Sequence, residues 1–444
     1  MSNQSKTSYI QQHFQVLFYA GLFIGFALAL LYSHHQILTG ASDQAQMIYK
    51  GYKGAYLGIW QNFGNAASAV GNVPGSLSAY LIGMPIILWD SPWSPMLLLL
   101  SLRLAGFLLL HSVIKQVFSQ ETQLVFLVLY WLNPWFLFET LLYNPAYLSF
   151  FAALHFYTAF NMRENKSILY SFFHLLSIGM AMQLHYSWPI LAVISAYLFY
   201  RGTIKISWTG ISLAFLLIIA SLIPYFQELL VNEDLVRSQG NKDGERYIGW
   251  GGVHVYPVLK AFLYWLRYAS FIFTNRLITS AHFEWLSSIE TIQMIVMYLW
   301  RALLFGAGGL SIWIAWKAHK HTWMQIRSRI TRKSKDQDLS LENWLLLYAV
   351  GAIIGVTISA ILSPIVFNHW HLISIFAFAL FPLLVFIETL SKNSSIQLSK
   401  YLFIVAFYFI FVNLVAANDS EKFSYKVSYQ AQTIEYLKEK ELLK

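Results

Sequence analysis

Apolar residues fall in long blocks parted by short polar breaks, at 14–33, 95–118, 123–142, 207–225, 294–316, 344–362, 372–390 and 401–416. A helix needs roughly 20 residues to cross ~30 Å of hydrocarbon, and each block is near that length. In lipid, backbone N–H and C=O groups must be satisfied within the spanning element, which a lone block can do only as a helix. The pattern predicts an all-α polytopic membrane protein, a single integral membrane domain over 1–444. Within 123–200 it predicts two tight hairpins, turning near Asn144-Pro145 and near His185. Threaded this way, the chain makes about eleven transmembrane helices.

Two stretches are too long to be turns. Residues 34–93 are rich in Gly, Asn and Tyr and hold amphipathic runs at 44–57 and 77–88. Residues 227–289 hold a charged, Gly-rich run at 241–252 and then an aromatic run at 260–276 that contains Arg267. Both compositions predict helices lying in the membrane interface, with Trp and Tyr at headgroup level and Lys/Arg reaching phosphates.

Composition narrows the class. The chain is 57% hydrophobic and 11% charged, too little charge to cover a soluble surface. It has no cysteine, which excludes disulfides and thiolate metal sites. The first block is too long for a signal-peptide core and lacks a small-residue cleavage site, so it reads as a transmembrane helix. The net charge is +9, but the basic residues sit in short breaks between apolar blocks. The strongest run is Lys317, Lys320, Arg327, Arg329, Arg332, Lys333 and Lys335, within a basic loop at 317–342; Arg163, Lys166, Arg201, Lys205 and Lys392 are weaker signals. This bias places those breaks and the N-terminus in the cytoplasm, and both long stretches and the tail at 418–444 outside. Basic residues so placed point to membrane lipids as partners and argue against nucleic acid.

The residues able to carry chemistry gather on the outer side. Asp43 follows the first helix and opens an amphipathic run, where a carboxylate can act as a general base or cap a helix. Asn133-Pro134 and Asn144-Pro145 break helices and start turns. Gln183, His185, Tyr186 and Ser187 form a polar cluster that, once buried, must be hydrogen-bonded, and a sugar or phosphate would serve. His369 and His371 flank Trp370; without a carboxylate or thiolate nearby they read as a headgroup or sugar site rather than a metal site. Arg103, Glu139, Arg301 and Glu388 are charges inside apolar blocks, each a functional candidate. Glu139 and Arg103 stand out, while Arg301 and Glu388 have the option of snorkelling to the interface. There is no Walker A loop and no GxGxxG between strand and helix. A donor is therefore expected to arrive through the membrane, lipid-linked, and no cofactor is implied.

Taken in order, these features resemble the membrane-embedded GT-C glycosyltransferases. The likeness is to their bacterial branch related to protein O-mannosyltransferases and the lipid A aminoarabinose transferase (family 39-like). Gly71-Asn72-Val73-Pro74-Gly75-Ser76-Leu77-Ser78-Ala79-Tyr80 is similar to that branch's Pro-Gly-Pro-Leu-Tyr stretch, Asn144-Pro145 to its Asn-Pro turn, and Gln183–Ser187 to a Gln-x-His-Tyr stretch. His369 to Ser374, with Pro382 beyond, resembles its late His-Tyr-x-x-Pro region. The resemblance implies a GT-C-like bundle in a bacterial inner membrane. It implies transfer of a sugar from a polyprenyl-phosphate donor to a periplasmic glycan, lipid or protein acceptor, with inversion and Asp43 as base. The chain departs from the pattern in having Gln44 beside Asp43, Ser76 where the second proline falls, and no donor-phosphate lysine there. Lys50, Lys53, Arg246, Lys260 and Arg267 are the candidates to replace that lysine. A transporter or flippase of a lipid-linked saccharide is the rival from another class. The one-sided placement and the lack of a visible repeat favour the enzyme. A glycan polymerase or ligase would share the same donor.

Overall fold

The computed structural model describes residues 9–35, 43–67, 71–232, 249–250, 253–267, 278, 280–331, 339–363, 368–393 and 398–418. Among them, seven helices are long and apolar enough to cross a membrane. We call the end of the bundle that carries Asn144, His185 and His371 the outer end, after the orientation that the charge bias predicts.

The predicted spans appear as α1 (Tyr9–His35), α4 (Trp93–Val117), α10 (Trp208–Val231), α12 (Glu290–Thr331), α13 (Leu341–Leu362) and α16 (Leu398–Asn418). The block at 372–390 is a 3-10 turn (His369–Ile375) followed by α14 (Phe376–Ala379) and α15 (Phe381–Asn393). The hairpin segments are α7 (Asn144–Asn161), α8 (Ile168–Met182) and α9 (Pro189–Tyr200), with turns at the two expected places. α7 lies at the centre, buried along nearly its whole length. Close helix approach in a membrane relies on small residues. At Gly355 of α13, an added Cβ would lie 2.8 Å from the carbonyl oxygen of Ile190.

The block at 123–142 is broken rather than continuous. α5 (Gln120–Phe126) passes into a π-helical turn (Leu127–Trp131), and the chain restarts as α6 (Pro134–Phe138). Pro134 has no N–H to give the preceding turn. Asn133 caps the restart by accepting from the Trp135 N–H at 3.0 Å. The break frees carbonyls, and polar side chains take them up. Asn413 Nδ2 donates to Leu132 O at 2.9 Å and its Oδ1 accepts from Tyr32 OH at 3.0 Å. Arg103 donates to Glu139 O at 3.1 Å and to Phe136 O, with its guanidinium 3.9 Å from the Phe136 ring centre. A cation at a helix C-terminus is favourable against the free carbonyls and the helix dipole.

Several elements differ from expectation. The stretch at 34–93 does form α2 (Asp43–Leu57) and α3 (Leu77–Leu88), but a small antiparallel hairpin lies between them, β1 (Phe63–Ala67) with β2 (Gly71–Pro74). α10 runs on to Val231, past the start of the second long stretch. There, α11 (Val255–Arg267) is amphipathic, yet Ala261, Tyr264 and Trp265 are buried against the bundle, with Trp265 Nε1 donating to His319 of α12 at 2.8 Å. The basic run that reads as a loop is helical as far as Thr331. α12 is thus 42 residues long, roughly 63 Å. Glu388 does not snorkel. It is buried and accepts from the Ser119 N–H (3.2 Å), Ser119 Oγ (2.8 Å) and Thr122 Oγ1 (2.7 Å), so it caps α5, with Lys392 3.2 Å away. A carboxylate is favoured at a helix N-terminus, and this use outweighs the solvation it gives up.

Candidate active site

At the outer end, four segments far apart in sequence converge. The turn between α8 and α9 is the hub. Asn144 Nδ2 donates to Leu184 O at 2.7 Å. Gln183 Nε2 donates to Ser221 Oγ of α10 at 2.8 Å. Tyr186 OH donates to Asn72 O of β2 at 2.9 Å. Gly75, at φ +83°, is pressed so close that an added Cβ would lie 2.3 Å from Gln183 Oε1. The left-handed φ favours glycine there, and any side chain would have to push Gln183 aside. The stretch at 71–80 and the Gln183–Ser187 cluster, read separately in sequence, are therefore neighbours.

His185 and His371 complete the junction, their ring centres 5.3 Å apart and tilted by 56°. His185 Nδ1 accepts from the Ser187 N–H at 3.1 Å and lies 2.9 Å from Ser187 Oγ. His371 Nδ1 accepts from the Asn368 N–H at 2.9 Å, in a capping box that starts the 3-10 turn. Lys260 Nζ of α11 donates to Asn368 Oδ1 at 2.9 Å. Burial pushes the His185 imidazole down to about 4. Burial, and then the neighbouring Tyr225, pushes the Tyr186 phenol up to about 12. Asn144 Oδ1 and Thr140 Oγ1 are buried without a hydrogen-bond partner among the described residues, a cost that buried polar atoms normally avoid.

The remaining candidates lie as follows. Glu139 is buried and accepts from Tyr143 OH. Lys50 is buried and donates to Gly64 O, 4.9 Å from the Phe63 ring centre, which ties α2 to β1. Lys53 is half-buried on the same helix. Arg267 is buried at the end of α11, 5.6 Å from the Tyr264 ring centre. Arg103 is engaged with the carbonyls at the end of α6. Asp43 is the first residue of α2, but its side chain and that of His369 lie outside the described residues, as does Arg246 entirely. Arg301 is exposed on α12. Among the described residues, no group of three or more His, Asp or Glu could hold a metal ion.

A second histidine pair escaped the sequence reading. His155 of α7 and His174 of α8 stack with ring centres 4.1 Å apart. His155 bonds Tyr348 OH (2.6 Å) and Ser195 Oγ (2.7 Å). His174 bonds Ser195 Oγ (2.9 Å) and Thr158 Oγ1 (3.2 Å). A hint was present: Ser171, His174 and Ser177 form a polar stripe at helical spacing.

No protein-family model matches the chain. No curated protein matches it either. Among solved structures it is similar to the archaeal oligosaccharyltransferase AglB from Archaeoglobus fulgidus, in complex with an inhibitory peptide and a dolichol-phosphate. That match has 12% identity, 93% of this chain and 57% of that one, and a TM-score of 0.44. It is also similar to ArnT from Cupriavidus metallidurans in the apo state, with 10% identity, 92% of this chain and 76% of that one, and a TM-score of 0.48. A third match is the Archaeoglobus fulgidus oligosaccharyltransferase in complex with Zn and sulfate, with 14% identity, 91% of this chain and 53% of that one, and a TM-score of 0.48. The chain spans 57% and 53% of the two oligosaccharyltransferase chains. Scores and identities at this level assign no activity.

Proposed function

We propose that this chain is a GT-C-type membrane glycosyltransferase. It moves a sugar from a polyprenyl-phosphate donor to a glycan, lipid or protein acceptor on the periplasmic face of a bacterial inner membrane, with its N-terminus in the cytoplasm. The observation that carries the reading is the convergence of Asn72–Gly75, Asn144, Gln183–Ser187 and Asn368–His371 at one end of an apolar helical bundle. Polar groups inside a membrane bundle are costly to place, so a cluster of them at one end is a functional candidate.

The chemistry follows from the donor. Asp43, at the start of α2, takes the proton of the acceptor hydroxyl. The acceptor oxygen forms a bond to the anomeric carbon from the face opposite the lipid phosphate. The bond from that carbon to the phosphate oxygen breaks, its electron pair stays with the phosphate, and configuration inverts. A phosphate leaves without protonation, so the reading needs no general acid and routes no step through a metal ion. Positioning and charge stabilisation supply most of the rate. In this reading Lys260, beside Asn368, supports the phosphate, while Arg103 serves the fold.

Purified protein in native lipid extract with a labelled polyprenyl-phosphate sugar should transfer label. Asp43→Asn should fold normally and lose about 100-fold or more of the rate. Normal transfer by Asp43→Asn sinks the mechanism. Movement of intact donor across liposomes, with none consumed, replaces this reading with a transporter.

A further inference from the structure

α8 and α10 pack face to face until α8 ends. The space beside Gly210 is taken by the Ile168 carbonyl, and that beside Gly179 by Ile218. α10 thus turns Gly210, Ala214 and Ile218 inward, all three buried. α8 stops at Met182, with Gln183 as its C-cap. α10 runs on to Val231, roughly 15 Å beyond Ser221. On that extension the inward face becomes polar. Ser221, Tyr225 and Glu228 follow at i, i+4 and i+7, the spacing of one helix face. Ile223, Phe226 and Leu230, on the far side, are exposed apolar residues. Each polar residue meets the outer junction. Ser221 Oγ accepts from Gln183 Nε2 at 2.8 Å. Tyr225 neighbours Tyr186, whose OH donates to Asn72 O at 2.9 Å. Glu228 Oε2 accepts from Asn62 Nδ2, just before β1, at 3.4 Å. The result is a polar strip about 10 Å long where α10 faces the α8–α9 turn and the hairpin. Tyr186 is exposed there, and Tyr225 and Glu228 are half-buried.

We propose that this strip holds the sugar of a glycan or glycolipid acceptor, with the Tyr225 and Tyr186 rings against its C–H face and Glu228 receiving its hydroxyls. This rests on the transferase reading for the role of that sugar, and goes beyond it by choosing a sugar-bearing acceptor over a protein one and by naming where it sits. The charge supports the choice. The strip carries a carboxylate and no cation, so it repels a phosphate and suits a neutral, hydroxyl-rich ligand. A carboxylate accepts from several hydroxyls at once, and among the described residues Glu228 Oε1 has no partner. A tyrosine ring offers a flat apolar face beside a polar edge, which matches the two sides of a pyranose. Asn62 and Gln183 position the two ends of the strip.

The first test is binding, which needs no turnover. Oligosaccharides released from the bacterial envelope by mild acid are mixed with the full-length protein in a sugar-free detergent, and saturation-transfer NMR reads contact with their C–H protons. Wild type should give a signal. Tyr225→Ala and Glu228→Ala, each checked for a folded peak in size-exclusion chromatography, should weaken binding by about fivefold or more. Tyr225→Phe, which keeps the ring, should stay within roughly twofold of wild type. Leu230→Ala, on the far side of the same helix, should change nothing. No signal from wild type, or equal signals from wild type and both Ala variants, overturns the site. The labelled-donor assay, run against increasing amounts of native lipid extract, supplies the second test. Both Ala variants should raise the acceptor KM by about fivefold or more and leave the donor KM within roughly twofold. If transfer proceeds with the acceptor KM unchanged in both, the site falls and the transferase reading stands. If the oligosaccharides bind as described but no donor yields transfer, the sugar site stands and that reading falls.

Discussion

The two histidine pairs use the same side chain to opposite ends. In the deep pair every described ring nitrogen ends on protein. Ser195 Oγ meets Nε2 of both rings and donates to Leu191 O; Tyr348 OH meets Nδ1 of His155, and Nδ1 of His174 meets Thr158 Oγ1 and the His155 carbonyl. These bonds join α7, α8, α9 and α13 in one closed network. In the outer pair the described hydrogen bonds of His185 fall on Nδ1 alone. A closed network rigidifies a core. The outer pair instead spends its bonds on local backbone, at Ser187 and Asn368, and so holds two turns rather than four helices. Counting polar residues in an apolar chain therefore locates neither; what separates them is where their hydrogen bonds end.

The comparison can be broken at several points. The largest effect should come from the deep pair. Replacing both His155 and His174 with Ala strands the Tyr348 hydroxyl, at about 1–3 kcal/mol, and leaves a cavity where two buried rings stacked. Most of the purified protein should then lose its folded peak in size-exclusion chromatography, and an unchanged profile would show that the network is not a lock. Gly75→Ala should come next. It forces a side chain onto a left-handed φ and against Gln183, costing about 1–3 kcal/mol. Thermal unfolding should shift down and donor KM should rise together, because the turn seats the hub of the site. A drop in Tm with donor KM unchanged would separate the hairpin from the site.

Acid should act on the outer pair more gently. His185 is held down to about 4 by burial, against an ordinary value of about 6.5. The unfolded chain takes up a proton that the folded chain refuses. The contribution of His185 is therefore full above about pH 6.5 and declines as pH falls toward about 4, below which it changes no further. His185→Gln should flatten that part of the stability curve, and an unaltered curve would place His185 in water. The smallest effect should be Tyr186→Phe, which removes one hydrogen bond to Asn72 O. It should lower stability by about 0.5–1.5 kcal/mol in a denaturation series.

How far the sequence could be read follows from the range of each signal. The spans were legible because hydrophobicity over roughly 20 residues is a local property. The turns at Asn144 and His185 were legible from proline and polar residues within a few positions. The break inside 123–142 was marked by Asn133-Pro134, but its π-helical turn was not, since that depends on packing by Phe107, Tyr130, Phe136 and Phe376. β1 and β2 are short and carry no strong alternation. Glu388 looked like a snorkelling charge because its partners, Ser119 and Thr122, are hundreds of positions away. The deep histidines went unread because Ser195 and Tyr348, which tie them together, lie 21 to 193 positions away. In the outer site, the types and positions of residues could be read, but the contact between Gly75 and Gln183 could not.

Arg103 carries a consequence for the birth of the molecule. It lies near the middle of α4, where an arginine raises the insertion free energy by roughly 2.5–3.5 kcal/mol. The carbonyls that receive it belong to residues 33 and 36 positions later. At roughly 5–20 residues per second, those atoms leave the ribosome roughly 2–7 seconds after the arginine does. For that interval α4 waits with its charge unanswered. The short helix α6, whose free carbonyls at Phe136 and Glu139 end the wait, is what lets the first half of the chain settle in the membrane.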